Sequence, residues 1–322
     1  MKNIKIIVPG WLNTDIIWMW VSEIIWKWEL SFGWETKIWP WWKSRNLAQM
    51  ISVLGFKNSV AMIWKTSKDP FWFWKVPYDA LKENFVNIDF VKVLEFEQTN
   101  KFPWIAMIPV DKKWNNQIYV LPWINEDFWK EDIDDSEELF KNVWINNWIL
   151  ALTLELPLET GIYSMKKAKE AWIKVVLDPG GLIKWVDYKK LLEQDIFLIK
   201  PNEFEAEILS WIKIENFETA KKAGEFFLKK WIKNILITHW KKGAYFFSNK
   251  EEKHFEIPLN ISWKNQDETG CWDQTMATLV SLISKNIEIK KAIEIAIISW
   301  TMQFFRNWIC PVTDKELEKY LK

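Results

Sequence analysis

The apolar residues of this chain follow different patterns in its two halves. From about residue 145 onward, short continuous apolar runs alternate with segments in which apolar residues recur at helical spacing. Such runs are typical of strands buried on both faces of a parallel sheet, and a sheet of this kind needs helices to cover it. Before residue 145 the strands are shorter and alternate between apolar and polar residues. The pattern predicts an α/β fold with a doubly wound, mainly parallel sheet flanked by helices.

Individual elements follow from the same pattern. Strands are predicted at residues 5–8, 59–63, 91–96, 105–110, 118–121, 149–154, 175–177, 196–199 and 235–238. Helices are predicted at residues 44–54, 166–171, 203–210, 220–230, 276–283 and 292–298. Residues 11–40 and 96–124 do not continue the alternation of strand and helix, so we interpret them as a small β-sheet lid over a ligand cleft. We see no linker or repeat, and residues 1–322 are predicted to form a single domain with the lid segments inserted in it.

Composition and charge exclude several classes of protein. With 49% apolar residues over 322 positions, the chain can fill a substantial core and is not intrinsically disordered. Its 43 basic and 43 acidic residues cancel, so the overall charge predicts neither nucleic-acid nor membrane partners. Two cysteines, a start that resembles a strand and not a signal peptide, and no apolar run of about 18 to 20 residues favour a soluble, cytoplasmic protein.

The composition is unusual in having 27 tryptophans beside 9 glycines, where ordinary usage predicts roughly 22 or 23 glycines. Where a predicted helix hands over to a strand, the connecting residue commonly adopts a left-handed conformation, which disfavours a side chain by about 1–2 kcal/mol. Gly55 occupies one such position, and Trp172 and Trp231 occupy two others. Further tryptophans in turn-like contexts are Trp41, Trp42, Trp114, Trp123, Trp240 and Trp308.

We hypothesise that many of these tryptophans are glycine codons misread on translation, as happens when UGA encodes glycine. The abundance of Lys, Ile and Asn is compatible with an A/T-rich gene. The alternative is a protein that is truly rich in tryptophan.

The strongest chemical motif is the segment Asp-Glu-Thr-Gly-Cys-Trp-Asp at residues 267–273, which leads into a predicted helix. Free backbone N–H groups and the helix dipole at such an N-terminus attract anions, so phosphate oxygens can lie against Gly270, Cys271 and Trp272. Asp273 can then accept a proton from a substrate hydroxyl. A side chain at Trp272 would occupy the space of the phosphate, and the plainer interpretation is an acidic residue that begins an ordinary helix.

With glycine at position 272, this segment is similar to the C-terminal signature Asp-x-Thr-Gly-x-Gly-Asp of the ribokinase-like carbohydrate kinases, the phosphofructokinase-B type. Other motifs resemble that family in the same order along nearly the whole chain. The turns at residues 69–72 and the hairpin at residues 114–123 are among them. The principal departure in most motifs is Trp in place of Gly. The resemblance implies a ribokinase-like fold and ATP-dependent transfer of a phosphoryl group to a sugar or sugar phosphate, with Mg²⁺.

The resemblance also implies roles for individual residues. Substrate would be bound by Asn13, Asp15, Trp41, Trp42, Lys43, Asn46 and Glu155. The nucleotide would be bound by Asn202, Glu205, Thr238, Trp240 and Gly243, and magnesium would be organised by Glu205. A monovalent cation such as K⁺ would lie near Asp267 and Thr269. Some members of the family form dimers through the lid, and a homodimer is an option for this chain too.

Several alternatives remain open. The second candidate enzyme is a nucleoside kinase of the same fold, which is disfavoured because Lys43 suits sugar or sugar-phosphate kinases better. A non-catalytic sugar-binding protein becomes the leading interpretation if Trp41, Trp42 and Trp272 are genuine, because they would block the substrate loop and the anion site. Arg45 would either meet a substrate phosphate or point to solvent. Cys271 would be either a thiol nucleophile or, in the favoured interpretation, a small residue whose backbone N–H does the work.

Overall fold

The computed structural model describes residues 4–22, 30–113, 115–141, 147–239, 242–257 and 267–321. Within these ranges the strands form two sheets. The main sheet contains β1 (Ile6–Pro9), β4 (Val60–Ser67), β5 (Val91–Leu94), β8 (Ile149–Thr153), β9 (Lys174–Asp178), β10 (Leu198–Ile199), β11 (Asn234–His239), β12 (Gly243–Ser248) and β13 (Glu252–Phe255). The small sheet contains β2 (Asn13–Val21), β3 (Glu35–Trp41), β6 (Trp104–Asp111) and β7 (Tyr119–Leu121).

The main sheet is parallel over most of its width. Its strand order is β13-β12-β11-β10-β9-β8-β1-β4-β5. Neighbouring strands from β11 to β5 pair in parallel, whereas β11, β12 and β13 pair as antiparallel neighbours. Every residue of β1, β4 and β8 is buried, as expected for strands covered on both faces. The predicted mainly parallel sheet is therefore confirmed.

Helices flank this sheet. They are α1 (Lys43–Ile51), α2 (Lys75–Glu83), α3 (Phe96–Thr99), α4 (Lys130–Asp134), α5 (Glu138–Lys141), α6 (Leu158–Glu170), α7 (Lys189–Leu192), α8 (Glu203–Ser210), α9 (Phe217–Lys229), α10 (Cys271–Ser284), α11 (Ile289–Phe304) and α12 (Asp314–Leu321). Helix α10 is buried along nearly its whole length, which fits its almost continuous apolar sequence. In the part of the chain that is described, no helix is long and apolar enough to cross a membrane.

The small sheet is built from the two predicted lid segments, with β3 extending one residue beyond the first of them. Strand β2 pairs with β3 as an antiparallel neighbour and with β6 in parallel, and β7 adds an antiparallel edge. Ile17, Met19 and Val110 are buried together, whereas Trp18 and Ile38 are exposed. This alternation gives the sheet one covered face and one open face.

Several elements differ from the prediction. The helix expected at residues 166–171 begins earlier, at Leu158. Its first turns include Gly161, where a Cβ would lie 3.8 Å from Leu152 and Leu156, and glycine gives no apolar signal in the sequence. The antiparallel strands β12 and β13 were not predicted. Strand β12 is buried over most of its length, so its apolar run does not indicate whether it pairs parallel or antiparallel to its neighbours.

Candidate active site

The candidate residues gather where the parallel strands end. Glu155 follows β8, Asp178 ends β9, Lys200 follows β10 and Thr238 lies near the end of β11. Because the carboxyl ends of parallel strands share one edge of the sheet, ligands of open α/β folds bind there. The structure thus places these side chains, from four separate parts of the sequence, at a common edge.

A buried charge cluster forms around Asp178. The Nζ of Lys200 lies 2.8 Å from Asp178 Oδ2, and the Nζ of Lys43 lies 3.4 Å from Asp178 Oδ1. The backbone N–H of Lys43 donates to Glu155 Oε2 at 3.0 Å. Burial opposes ionisation of Asp178, but the ammonium groups of Lys200 and Lys43 outweigh it and lower its pKa to about 2. The carboxylate is therefore ionised at neutral pH and holds both lysines.

Glycine at position 180 is required by this cluster. A Cβ on Gly180 would lie 2.1 Å from Lys43 Nζ, so any side chain would displace the lysine. The backbone N–H of Gly180 also donates to Asp178 Oδ1 at 2.9 Å. The turn after β9 therefore fixes the carboxylate and leaves room for Lys43 at the same time.

Asp178 and Lys200 were missed as functional residues. Neither residue belongs to a motif with a stated chemistry, so neither was given a role from the sequence. A signal was nevertheless present, since each is a charged residue placed directly at the end of an apolar run predicted as a strand. Lys200 is only 2% exposed, and a lysine is rarely buried unless it is paired.

Asp273 lies in the first turn of α10 and faces the same cluster. Its Oδ2 accepts a hydrogen bond from Asn46 Nδ2 at 2.9 Å, and Oδ1 accepts none from the described residues. Burial raises the pKa of Asp273, and Asp178 adds to the rise, whereas Lys43, Asn46 and Lys200 oppose it. The result is a buried carboxyl with a raised pKa and one oxygen available, which are properties of a general base.

Residues 270–272 form the beginning of α10. Gly270 is the N-cap and has a left-handed backbone, with φ 70°. The Cys271 side chain is buried, burial raises the pKa of its thiol, and Sγ donates to the carbonyl oxygen of Asp267. A thiol in this state is not a nucleophile, so the interpretation of Cys271 as a small residue beside a useful backbone N–H is favoured.

The indole of Trp272, in the first turn of α10, lies next to Lys200 of the charge cluster. Its ring centre is 5.5 Å from Lys200 Nζ and 5.7 Å from the ring centre of Trp300. The first N–H groups of an α-helix have no partner within the helix and point out of its N-terminus. A large side chain beside them restricts access for a phosphate that would approach both these groups and Lys200.

Asn13 and Asp15 lie together at the start of β2. Asn13 Nδ2 donates to Asp15 Oδ1 at 2.6 Å, and both side chains are buried. Burial raises the pKa of Asp15 to about 7, although hydrogen bonds from Asn13 and Trp42 oppose the rise. The indole of Trp42 therefore lies beside the carboxyl group that was predicted to bind substrate hydroxyls.

Trp42 is part of a cluster of indoles beside these residues. Its ring centre lies 4.8 Å from that of Trp104 and 6.1 Å from that of Trp11. Its backbone, at φ 95° and ψ 148°, lies in a region that is essentially restricted to glycine. Trp41, by contrast, is the last residue of β3 and pairs with Asn13, so its predicted turn-like context is wrong.

The predicted nucleotide residues are grouped at the ends of β10 and β11. Asn202 Oδ1 accepts the N–H of Glu205 at 2.8 Å, and Glu205 Oε2 accepts the N–H of Asn202 at 2.9 Å, which begins α8. Asn202 also forms a parallel bridge with Thr238. A Cβ on Gly243 would lie 2.0 Å from the carbonyl oxygen of Phe255, so glycine is required there. Trp240 lies outside the described residues.

The residues near Glu205 fit a hard divalent cation. Burial raises the pKa of Glu205 and Asp178 adds to it, whereas Lys43 and Lys200 lower it. A cation bound there would favour the ionised form of Glu205, and Mg²⁺ usually takes one or two carboxylates and completes its shell with phosphates and water. Within the described ranges, no three acidic, histidine or cysteine side chains are close enough to hold a metal by themselves.

Asp267 and Thr269 fit a cation less well. Asp267 Oδ1 accepts the N–H of Thr269 at 2.9 Å, and Oδ2 accepts the N–H of Trp308 at 2.7 Å. The carbonyl oxygen of Thr269 accepts a hydrogen bond from Gln303 Nε2 at 3.1 Å. These oxygens fix the turn before α10, and a monovalent cation would have to share them.

Residues 43–299 match the sequence profile of the pfkB family carbohydrate kinases. The chain belongs to this family. The matched range covers α1, most of the main sheet and α10, and it contains Lys43, Asn46 and Asp273. The predicted resemblance to carbohydrate kinases is confirmed.

Individual pfkB family relatives and solved structures agree. A ribokinase of Staphylococcus aureus (strain COL) is 32% identical over 182 residues, 56% of each chain, and a deoxyribokinase of Salmonella typhi is 29% identical over 150 residues, 47% of each chain. The chain thus spans about half the length of the relatives it matches. The structure of Arabidopsis thaliana ribokinase complexed with ribose and ATP superposes with a TM-score of 0.86 at 22% identity over 99% of both chains, which shows the fold.

Tryptophan dominates the strained backbone positions of this pfkB family chain. In the described residues, 13 residues other than glycine have a positive φ. The tryptophans among them are Trp20, Trp42, Trp72, Trp123, Trp172, Trp211, Trp231 and Trp308. The left-handed backbone predicted for Trp172 and Trp231 is confirmed, while Trp114 lies outside the described residues. A bulky residue in this conformation is an outlier, and glycine would relieve it.

Proposed function

We propose that this protein transfers the γ-phosphoryl group of ATP to a hydroxyl group of a sugar or sugar phosphate. The observation that carries the proposal is Asp273, a buried carboxyl at the N-terminus of α10 that is held by Asn46 and has Oδ1 available. In a pfkB family chain, a base beside a helix N-terminus is the arrangement that phosphoryl transfer to a hydroxyl needs.

The proposed reaction uses the two ends of the cleft. Asn13 and Asp15 would bind acceptor hydroxyls, assisted by Lys43, Asn46 and Glu155. Asp273 Oδ1 would accept the proton of the attacking hydroxyl. The hydroxyl oxygen would then bond to the γ-phosphorus while the bond from the γ-phosphorus to ADP breaks and ADP leaves. The backbone N–H groups of residues 270–273 and the ammonium of Lys200 would stabilise the negative charge on the transferred group.

The nucleotide and its metal would lie toward α8. Asn202, Thr238 and Gly243 would line the nucleotide, and Glu205 would hold Mg²⁺ with Asp178 nearby. Mg²⁺, when bound, neutralises charge on the phosphates. We assign Asp267 and Thr269 to fixing the turn and leave K⁺ binding there as a prediction. The small sheet would close over the acceptor and exclude water, and a homodimer through it likewise stays a prediction.

A second candidate function rests on Trp42 and Trp272. If both are genuine, the Trp42 indole lies beside Asp15 and the Trp272 indole, in the first turn of α10, lies over Lys200. Neither an acceptor hydroxyl nor a phosphate would then have free access. The chain would be a non-catalytic protein on a kinase scaffold.

The proposal is tested by the substitution Asp273→Asn in protein expressed in its native source. ATP consumption over a panel of sugars, sugar phosphates and nucleosides identifies the acceptor and separates a sugar kinase from a nucleoside kinase. Turnover of the variant should fall by about 100- to 10,000-fold because the base is lost, while calorimetric binding of the acceptor remains measurable. Asp187→Asn, at an exposed position, is the matched control. Retained turnover in Asp273→Asn would refute the role of Asp273.

A further inference from the structure

Arg45 is a buried cation beside the proposed reaction site. It lies in the first turn of α1 and is only 3% exposed, so the alternative in which it points to solvent is wrong. Only two of the 43 basic residues of the chain are arginines. The other, Arg306, forms an ion pair with Glu316, whereas Arg45 has no ion pair within the described ranges.

The guanidinium of Arg45 is only partly satisfied. Its Nη1 donates to Asn46 Oδ1 at 2.9 Å, but its Nε is buried and has no hydrogen-bond partner among the described residues. Burial lowers the pKa of Arg45 to about 9, and Asp273 is the acidic group that opposes the decrease. A buried donor on a cation is costly to leave unpaired, so this atom requires an acceptor.

The neighbouring lysines do not share this property. Lys43 forms an ion pair with Asp178. Burial lowers the pKa of Lys43, but the four carboxyl groups around it outweigh burial, so its pKa is raised. Lys200 is paired with Asp178 at 2.8 Å. Both lysines therefore have a carboxylate in direct contact, whereas Arg45 has none and is linked to Asp273 only through Asn46.

The position of Arg45 relates it to the acceptor. It binds Asn46 Oδ1, and Asn46 Nδ2 binds Asp273 Oδ2, so one side chain separates the guanidinium from the proposed base. The edge of a guanidinium that carries Nε and Nη2 can hold two oxygens of a carboxylate or phosphate at once. Because only Nη1 donates to Asn46, the edge with Nε and Nη2 is available to a ligand.

We propose that Arg45 binds an anionic group of the acceptor, so that the preferred acceptor is a sugar phosphate or a sugar acid and not the neutral sugar. This inference rests on the proposed kinase function and adds the chemical class of the acceptor. Arg45 is a specificity residue in this proposal, and Asp273 still carries out the chemistry.

The test compares matched acceptors in wild type, Arg45→Ala and Arg45→Lys. Each neutral pentose or hexose is compared with the same sugar phosphorylated at its terminal hydroxyl and with the corresponding aldonic acid. Both turnover and calorimetric binding are measured. In wild type one of the anionic forms should be preferred. Arg45→Ala should raise KM for that form by about 10- to 100-fold, and Arg45→Lys should restore part of the loss. KM for the neutral sugar should change by less than about threefold.

A control variant and the possible outcomes distinguish failure of the role of Arg45 from failure of the kinase function on which it rests. Arg306→Ala removes the other arginine and should leave the preference for the anionic acceptor unchanged. If the neutral sugar is the better substrate, or if Arg45→Ala weakens neutral and anionic acceptors equally, the assignment of Arg45 is overturned while the kinase function stands. If no acceptor is phosphorylated or bound, the proposed function itself fails.

Discussion

The two ends of the candidate cleft differ in how well their polar groups are satisfied. At the charge cluster, Asp178 holds Lys43 and Lys200, and Asn46 holds Asp273. At the acceptor end, the indoles of Trp11, Trp42 and Trp104 are packed against one another. The indole Nε1 atoms of Trp11 and Trp104 are buried without hydrogen-bond partners among the described residues. Buried tryptophans usually find a partner for this atom.

This difference follows residue type. The charged and amide side chains of the cluster are paired with one another, while the groups that obstruct the cleft or strain the backbone are mostly tryptophans. Three further buried indoles, those of Trp39, Trp64 and Trp300, also lack a partner for Nε1 among the described residues. Random decay of an active site would not select one residue type. The pattern supports the hypothesis that glycine belongs at many of these positions.

The largest effect should come from opening the cleft. In protein that carries tryptophan at both positions, Trp42→Gly combined with Trp272→Gly should raise kcat/KM by about 100- to 1,000-fold, because Asp15 and the N–H groups of α10 become accessible. Steady-state kinetics with the preferred acceptor measures the change. Trp172→Gly with Trp231→Gly, which removes two highly exposed indoles, is the matched control and should leave turnover unchanged. Equal rates before and after opening the cleft would favour a non-catalytic protein.

A smaller effect is expected on stability at the exposed left-handed positions. Trp172, Trp211 and Trp231 are 90%, 87% and 87% exposed, so their indoles bury almost nothing. Glycine at each position should increase the free energy of unfolding by about 1 kcal/mol, because the left-handed backbone no longer opposes a side chain. Denaturant unfolding measures the gain.

Trp185→Gly is the control for this stability test. Trp185 is also 87% exposed, but its φ is not positive. Its replacement should change the free energy of unfolding by less than about 0.5 kcal/mol. If all four replacements behave alike, the gain does not come from the left-handed backbone.

Much of the fold could be predicted from the sequence because the buried strands carry continuous apolar runs. The strands Ile149–Thr153 and Asn234–His239 were predicted for this reason, and the helix Glu203–Ser210 was predicted from apolar residues at helical spacing. The hairpin of β12 and β13 was not, since a buried antiparallel strand has the same composition as a parallel one. Local pattern decides that a strand exists, and tertiary pairing decides its direction.

The candidate site was predicted only where a motif marks it. Asp273 and Asn46 belong to motifs, and the structure brings them within hydrogen-bond distance. Asp178 and Lys200 are joined only by folding, because 22 positions of chain separate them. The burial of Arg45 was equally inaccessible, since the start of a helix can face either the cleft or the solvent until the helix is packed.

The most direct test of the central claim, that glycine belongs at the positions where tryptophan obstructs the candidate cleft, is the mass of peptides from the protein expressed in its native source. Peptides that contain residues 42 and 272 should have the masses expected for glycine at both positions. Tryptophan at both positions would contradict the account and would make the non-catalytic interpretation the leading one.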